Sequence, residues 1–210
     1  MNKVIDVIKQ CFYKDAMSLE DSFRTSGNLS ERQAATYAAE AHKGQTDHSG
    51  APYIQHPARV AANLKKIAPD IHEDVIMAAW LHDVIEDCNR NERDFRDFGF
   101  SRRTIDAVLD VTKPDDDPRN YEEVIDDLIA TGNRDAILVK IADNMDNLHP
   151  GRVADFAAIN PEKSARLVAR YEKSIEKLCE VAGIDVDVVW QTIENAKLVR
   201  TPSSQTPDQG

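Results

Sequence analysis

The sequence predicts an all-α fold, a bundle of roughly eight to ten helices, and three observations predict it. Apolar residues recur at helical spacing almost throughout. Alternating apolar and polar runs bounded by turns, the mark of strands, are missing. Gly and Pro fall mainly where helices would start or stop. With 210 residues, 41% of them hydrophobic, the chain is long enough for one compact domain with a proper core.

The elements follow in order. Val4, Ile5, Ile8, Cys11 and Phe12 form one stripe over residues 2–14, an amphipathic helix without the small-residue cleavage site of a signal peptide. A polar connection leads to Ser30, which with Gln33 three residues later makes a capping box for a helix that Gly44 stops. The loop 44–55 carries two glycines, Pro52 and the apolar pair Tyr53-Ile54, more content than a tether needs. Pro57 suits the first position of a helix to about Ile67, with His56 just before it. Residues 73–87 form the most apolar helix, and a shorter one near 91–98 ends at Gly99. Ser101 caps the next, Asn120 caps another that ends at Gly132, and 134–148 is a further buried helix. Asn160-Pro161 opens a long helix closing at Gly183, and Asp185 starts a last one ending near Val199. The division expected is 1–29 as helix and connection, 30–200 as the main domain, and 201–210, which lacks apolar anchors, as a disordered tail.

Charge and cysteine usage narrow the function classes. The net charge of −11 repels phosphate backbones, so nucleic acid is not an expected partner, and a small polyphosphate would need a local cation. No apolar run is long enough to span a bilayer. Cys11, Cys88 and Cys179 are odd in number, far apart and without metal-type spacing. They suit reduced thiols and a cytoplasmic location.

Two apolar helices carry residues that ought not to be there. In IMAAWLHDVIED (76–87), His82, Asp83, Glu86 and Asp87 crowd the last turns. On one continuous helix, at about 100° per residue, all four fall within an arc of about 140°. Three carboxylates on one partly buried arc repel one another and are costly to desolvate, so a positive partner is required. The alternative is a helix end frayed into solvent, with acids merely unfavourable against the dipole. In ILVKIADNMDNL (137–148), Asp143 sits where the stripe through Leu138, Ile141 and Met145 predicts core. Taken alone, Asp143 has a neighbouring Lys as an alternative partner. His56 is a fourth candidate, although a lone His at a helix start is more often a cap. The set His56, His82, Asp83 and Asp143 offers nitrogen and oxygen without thiolate. That suits Mn²⁺, or Fe²⁺ or a catalytic Zn²⁺ instead, with open water positions.

Four blocks in order, AHKGQTDHSGAPYIQHP (41–57), LHDVIED (81–87), VTKP (111–114) and KIADNMDNL (140–148), resemble the HD-domain hydrolases of RelA/SpoT type. In size the chain is most similar to the small stand-alone alarmone hydrolases. The resemblance covers about 34–152 and extends more weakly through the helix bearing Tyr171. It implies an all-α HD-domain bundle and a Mn²⁺-dependent hydrolase that removes the 3′-pyrophosphate from guanosine 3′,5′-bispyrophosphate-type alarmones, degrading a stringent-response signal. It implies that His56, His82, Asp83 and Asp143 hold the metal, and that Glu86 and Asp87 orient and deprotonate the attacking water. By the same resemblance Ser49, Lys113, Asn147 and Tyr171 line a nucleotide pocket. Lys43 and Lys140 are further candidates for phosphate contacts, Lys140 alternatively as a partner of nearby acids.

Departures from the family pattern concentrate on base recognition. Asp47 and His48 stand where the family usually carries Arg then Lys, Asp146 where His or Tyr is usual, and Pro150 where a hydrogen-bonding residue is usual. An acid cannot reproduce a guanidinium stacked on a base. One expectation is therefore the same chemistry on adenosine analogues, with Asp47 accepting from an exocyclic amine. Another is a nucleotide phosphatase that releases orthophosphate. A catalytically silent nucleotide-sensing module is a third reading, against which the retained Glu86 and Asp87 argue. The expected partner is a small nucleotide, with neither nucleic acid nor membrane. His42 is expected to act as a partner for a helix dipole, and His72 and His149 as surface residues in turns.

Overall fold

The structure, a computed structural model, describes residues 29–114 and 117–198. The expected helix over 2–14, Cys11 and the tail 201–210 lie outside the described residues. Among the described residues eleven helical segments follow one another: α1 (Glu31–Ala41), α2 (Gln55–Ile67), α3 (Glu73–Leu81), α4 (Val84–Asp87), α5 (Glu92–Phe98), α6 (Arg102–Val111), α7 (Tyr121–Ala130), α8 (Arg134–Asn147), α9 (Pro150–Ile159), α10 (Pro161–Ala182) and α11 (Val186–Leu198). Among the described residues the only extended pairing is an isolated bridge between Thr46 and Pro52. That bridge closes the 44–55 loop on itself. No helix of the described residues is long and apolar enough to cross a membrane.

Capping fixes most of the boundaries. Ser30 and Gln33 form the expected capping box, and Asn91, Ser101, Asn120, Asn133 and Asn160 each accept backbone N–H groups at the start of their helices. Gly99 and Gly183 end α5 and α10 with φ of 101° and 65°, a left-handed cap that favours glycine.

The fold is organised around α8, which packs against α2, α3, α6 and α10. Every residue from 136 to 146 except Lys140 is buried. A helix buried on all sides must fill its surroundings with apolar atoms, and Ile137, Leu138, Val139, Ile141 and Met145 do so. Asp143 and Asp146 therefore lie inside the protein because their helix does. At the far end, the rings of Tyr37, Phe95, Phe98 and Phe100 meet at centroid separations of 4.6–5.6 Å, pinning α5 to α1.

Three expectations need correction. The segment 73–87 is not one helix, because the chain loosens at His82-Asp83 between α3 and α4. There the His82 imidazole takes the carbonyl of Ala79 at 2.9 Å, and Asp83 sits at φ −97°, ψ −3°. α2 begins at Gln55, so His56 lies inside the helix and not before it. α9 was not anticipated. It opens on Pro150 at its first position, with His149 Nδ1 accepting the N–H of Gly151 at 3.1 Å.

Candidate metal centre

Three separate pieces of chain bring four candidate donors together. α2 supplies His56, the α3–α4 junction supplies His82 and Asp83, and α8 supplies Asp143. His56 Nε2 lies 3.2 Å from His82 Nε2, 3.3 Å from Asp83 Oδ2 and 3.4 Å from Asp143 Oδ1. His82 Nε2 lies 3.1 Å from Asp83 Oδ2 and 3.8 Å from Asp143 Oδ1. Ligand atoms of His56, His82 and Asp143, all buried, sit within 4.8 Å of one another and could hold a metal ion. The loosened backbone at 82–83 matters here, because it turns two adjacent side chains toward the same point.

The partners of each group set the charge. His82 donates from Nδ1 to Ala79 O, which leaves Nε2 for the site. Burial works against a charged imidazole at His82, but the Asp83 carboxylate outweighs it and raises the pKa. At His56 burial is likewise overcome, by Asp143, Asp146 and Asp83. Burial opposes ionisation of Asp83 too, yet the two histidines hold its carboxyl well below the usual range. For Asp143 burial is outweighed by Lys140 and His56. Lys140 Nζ reaches Asp143 Oδ2 at 2.8 Å, and Asn147 Nδ2 donates to Asp143 Oδ1 at 2.8 Å. A point this rich in carboxylate is one that a cation stabilises. The donor set, two imidazoles and carboxylates without thiolate, fits a divalent transition metal with open positions.

Beside this point stand two carboxylates at higher pKa. Both side chains belong to solvent-exposed residues, yet partial desolvation, reinforced by Asp83, raises the pKa of Glu86 and of Asp87. The backbone N–H of Lys113 holds Glu86 at 3.1 Å. The Lys113 ammonium instead caps the carbonyl of Arg119 at 3.0 Å.

A cavity of about 260 Å³ is lined among others by Asp47, His48, Ser49, Arg59, Asn147, Arg152, Phe156 and Tyr171; none of the four donors lines it, but Asn147 bonds Asp143 and Arg152 stands against His56. The cavity falls just below the ~300–1,000 Å³ usual for ligand pockets. Ser49, Asn147 and Tyr171 are thus among the lining residues of one cavity. Lys113 and Lys43 are not among its lining residues. Lys43 is solvent-exposed and pairs with Glu40 one turn back at 3.0 Å, so proximity to the motif did not bring it to the site. Asp47 has work within its own loop: Oδ1 accepts from Ser49 N at 2.9 Å, Ser49 Oγ at 2.7 Å and Ala51 N at 3.0 Å. His48 faces Phe156 with ring centroids 5.2 Å apart.

Several site residues were not singled out from sequence. Tyr53 Oη donates to Asp83 Oδ2 at 2.6 Å. Asp146, noted only as a departure from the family pattern, accepts from His56 Nδ1 at 2.7 Å, Arg59 Nε at 2.6 Å and Arg152 Nη1 at 2.8 Å. Its place one helical turn beyond Asp143 was the available signal. Arg59, set between Ala58 and Val60 and three residues after His56, was another. His42, read as a partner for the helix dipole, is buried instead, 2.8 Å from Gln45 Oε1 and 3.1 Å from Cys88 Sγ. Its imidazole stacks near Tyr53, tilted, at 4.8 Å.

A model of the HD domain matches residues 34–170. Among curated proteins, the chain is 36% identical over 162 residues to a guanosine-3′,5′-bis(diphosphate) 3′-pyrophosphohydrolase of Vibrio cholerae, covering 73% of this chain and 22% of that protein. It is 32% identical over 160 residues to the bifunctional (p)ppGpp synthase/hydrolase SpoT of Escherichia coli, again covering 73% and 22%. The chain therefore spans about a fifth of the length of these relatives. Among solved structures, a metazoan ortholog of SpoT described as hydrolysing ppGpp superposes with a TM-score of 0.61 at 24% identity, covering 84% of this chain and 98% of that one. That likeness speaks for the fold.

Proposed function

The chain belongs to the HD-domain family, and from that premise we propose that it is a metal-dependent hydrolase removing the 3′-pyrophosphate from guanosine 3′,5′-bispyrophosphate-type nucleotides. The observation that carries the proposal is the convergence of four nitrogen and oxygen donors on one buried point beside two carboxylates of raised pKa. The curated relatives named for this reaction support the choice of substrate.

In this reading His56, His82, Asp83 and Asp143 hold a divalent cation, Mn²⁺ by preference, with Fe²⁺ or Zn²⁺ compatible with the same donors. Bound there, the ion would lower the pKa of a water and screen phosphoryl charge. Glu86 and Asp87 would orient an attacking water and accept its proton, a task suited to carboxylates of raised pKa. Lys140 and Asn147 hold Asp143 in place from one helix turn on either side. Ser49, Asn147 and Tyr171 form the wall along which the nucleotide lies, and a cytoplasmic location suits such a substrate.

A substrate panel tests this. The protein is stripped of metal with a chelator, Mn²⁺ is restored, and guanosine and adenosine 3′-pyrophosphates are supplied in parallel. Pyrophosphate together with the 5′-phosphorylated nucleoside is the expected product pair. Release of orthophosphate would instead assign a nucleotide phosphatase. Binding without turnover on any substrate or metal would assign a sensing module.

A further inference from the structure

One turn of α8 straddles the imidazole of His56. Asp143 Oδ1 lies 3.4 Å from its Nε2, and Asp146 Oδ2, three residues later on the same face, lies 2.7 Å from its Nδ1. A ring held on both sides by one rigid helix turn has little freedom to rotate.

Asp146 is itself fixed. It is buried to 1% exposure, and Arg59 binds both its oxygens, through Nε to Oδ1 at 2.6 Å and through Nη2 to Oδ2 at 3.1 Å. Arg152 Nη1 adds 2.8 Å to Oδ2 and stands 2.7 Å from His56 Nδ1. Two donors cannot bond to each other, so the shared nitrogen has two arrangements. Either Nδ1 is bare and Arg152 donates to it, or Nδ1 carries the proton and both groups donate to Asp146. Only the second leaves the Nε2 lone pair free for a cation. The carboxylate selects it, since an ionised oxygen at 2.7 Å is a stronger acceptor than a neutral ring nitrogen. A buried acid needed for folding alone would be satisfied by Arg59. The contact to a ring whose other nitrogen faces the candidate metal point is not explained that way.

We propose that Asp146 is a positioning residue, which fixes His56 in its Nδ1-protonated form with Nε2 aimed at the metal, and that Arg59 and Arg152 hold Asp146 for that task. The proposal rests on the metal-site reading above. Removing such a partner of a ligating histidine weakens metal affinity by about 10–100-fold.

The test compares the wild-type chain with Asp146→Asn. Mn²⁺ affinity is read from the signal of the free ion in electron paramagnetic resonance, and folding from the thermal midpoint of the metal-free proteins. The expected result is a loss of affinity of about 10–100-fold in the folded variant. A lowered midpoint with unchanged affinity would assign Asp146 to folding alone and overturn the proposal. A wild-type chain that binds no Mn²⁺ would overturn the metal reading and this proposal together, whereas equal binding by both chains overturns this one only. Should the variant not fold, the wild type decides the matter through long-range ¹H–¹⁵N spectra of histidine-labelled protein titrated with Zn²⁺. His56 is expected with a protonated Nδ1 and a metal-shifted Nε2, and the opposite tautomer overturns the proposal.

Discussion

The Nε2 atoms of His56 and His82 lie 3.2 Å apart, on rings whose Nδ1 atoms are already engaged by Asp146 and by the carbonyl of Ala79. Two lone pairs cannot face each other at that distance without a proton or a cation between them. The carboxylates of Asp83 and Asp143 at the same point make the positive charge favourable. The distance between two imidazoles is thus a clear physical reason to expect a positive charge at this point.

Separate roles for ligands and base predict separable defects. Asp83→Ala is expected to abolish Mn²⁺ binding and turnover together. Glu86→Gln keeps shape and removes the proton acceptor, so it should bind Mn²⁺ normally and turn over about 100-fold more slowly or worse. Metal titration beside kcat for both variants checks this. A Glu86→Gln enzyme at full speed would remove Glu86 from the chemistry.

The bonds of Asp47 within its loop give it a role beside the expected one of reading an exocyclic amine. Its Oδ1 already takes three donors from Ser49 and Ala51, so Asp47→Ala should loosen the wall carrying Ser49. We expect KM to rise for guanosine and adenosine substrates alike, with their ratio unchanged. A change in that ratio beyond about threefold, or roughly 0.6 kcal/mol, would assign Asp47 to base recognition.

The central helix should dominate stability. Leu138 is fully buried in the first half of α8, and Leu138→Ala is expected to cost about 2–5 kcal/mol through lost burial and the cavity left behind. Urea unfolding of the metal-free protein measures it. A cost below about 1 kcal/mol would mean that α8 is not the organising element.

What could be read in advance divides along physical lines. Helix boundaries at Ser30, Gly99, Ser101, Asn120, Asn160 and Gly183 were legible because capping is local chemistry written within a few residues. His56, His82, Asp83 and Asp143 stood out because polar groups in apolar helices need a reason, and the structure does gather them. The break at His82-Asp83 was not legible, since it depends on a side chain bonding its own helix. α9 escaped because Pro150 and Gly151 read as loop residues when their cap is a histidine. Arg59, Arg152 and Asp146 meet across 87 and 6 residues of sequence separation, and such a pairing exists only once α2, α8 and α9 have packed.

The buried thiol of Cys179 sets a pH dependence of stability. Burial, with Asp185 adding to it, pushes its pKa from 9.0 up to about 11. The folded state therefore keeps its proton while the unfolded chain has begun to lose it. By linkage, this contribution to stability is full below pH 9.0 and is lost as the pH climbs from there to about 11. Urea midpoints across that window should fall more steeply for wild type than for Cys179→Ala. Parallel slopes would show that the thiol is not responsible.

The central claim is that one divalent cation is held by His56, His82, Asp83 and Asp143. Anomalous diffraction from crystals soaked in Mn²⁺ tests it most directly. The account predicts a single strong peak about 2.1 Å from the nearest nitrogen and oxygen of those four side chains. Mn²⁺-dependent turnover with no peak there, or with the four side chains pointing apart, would contradict it.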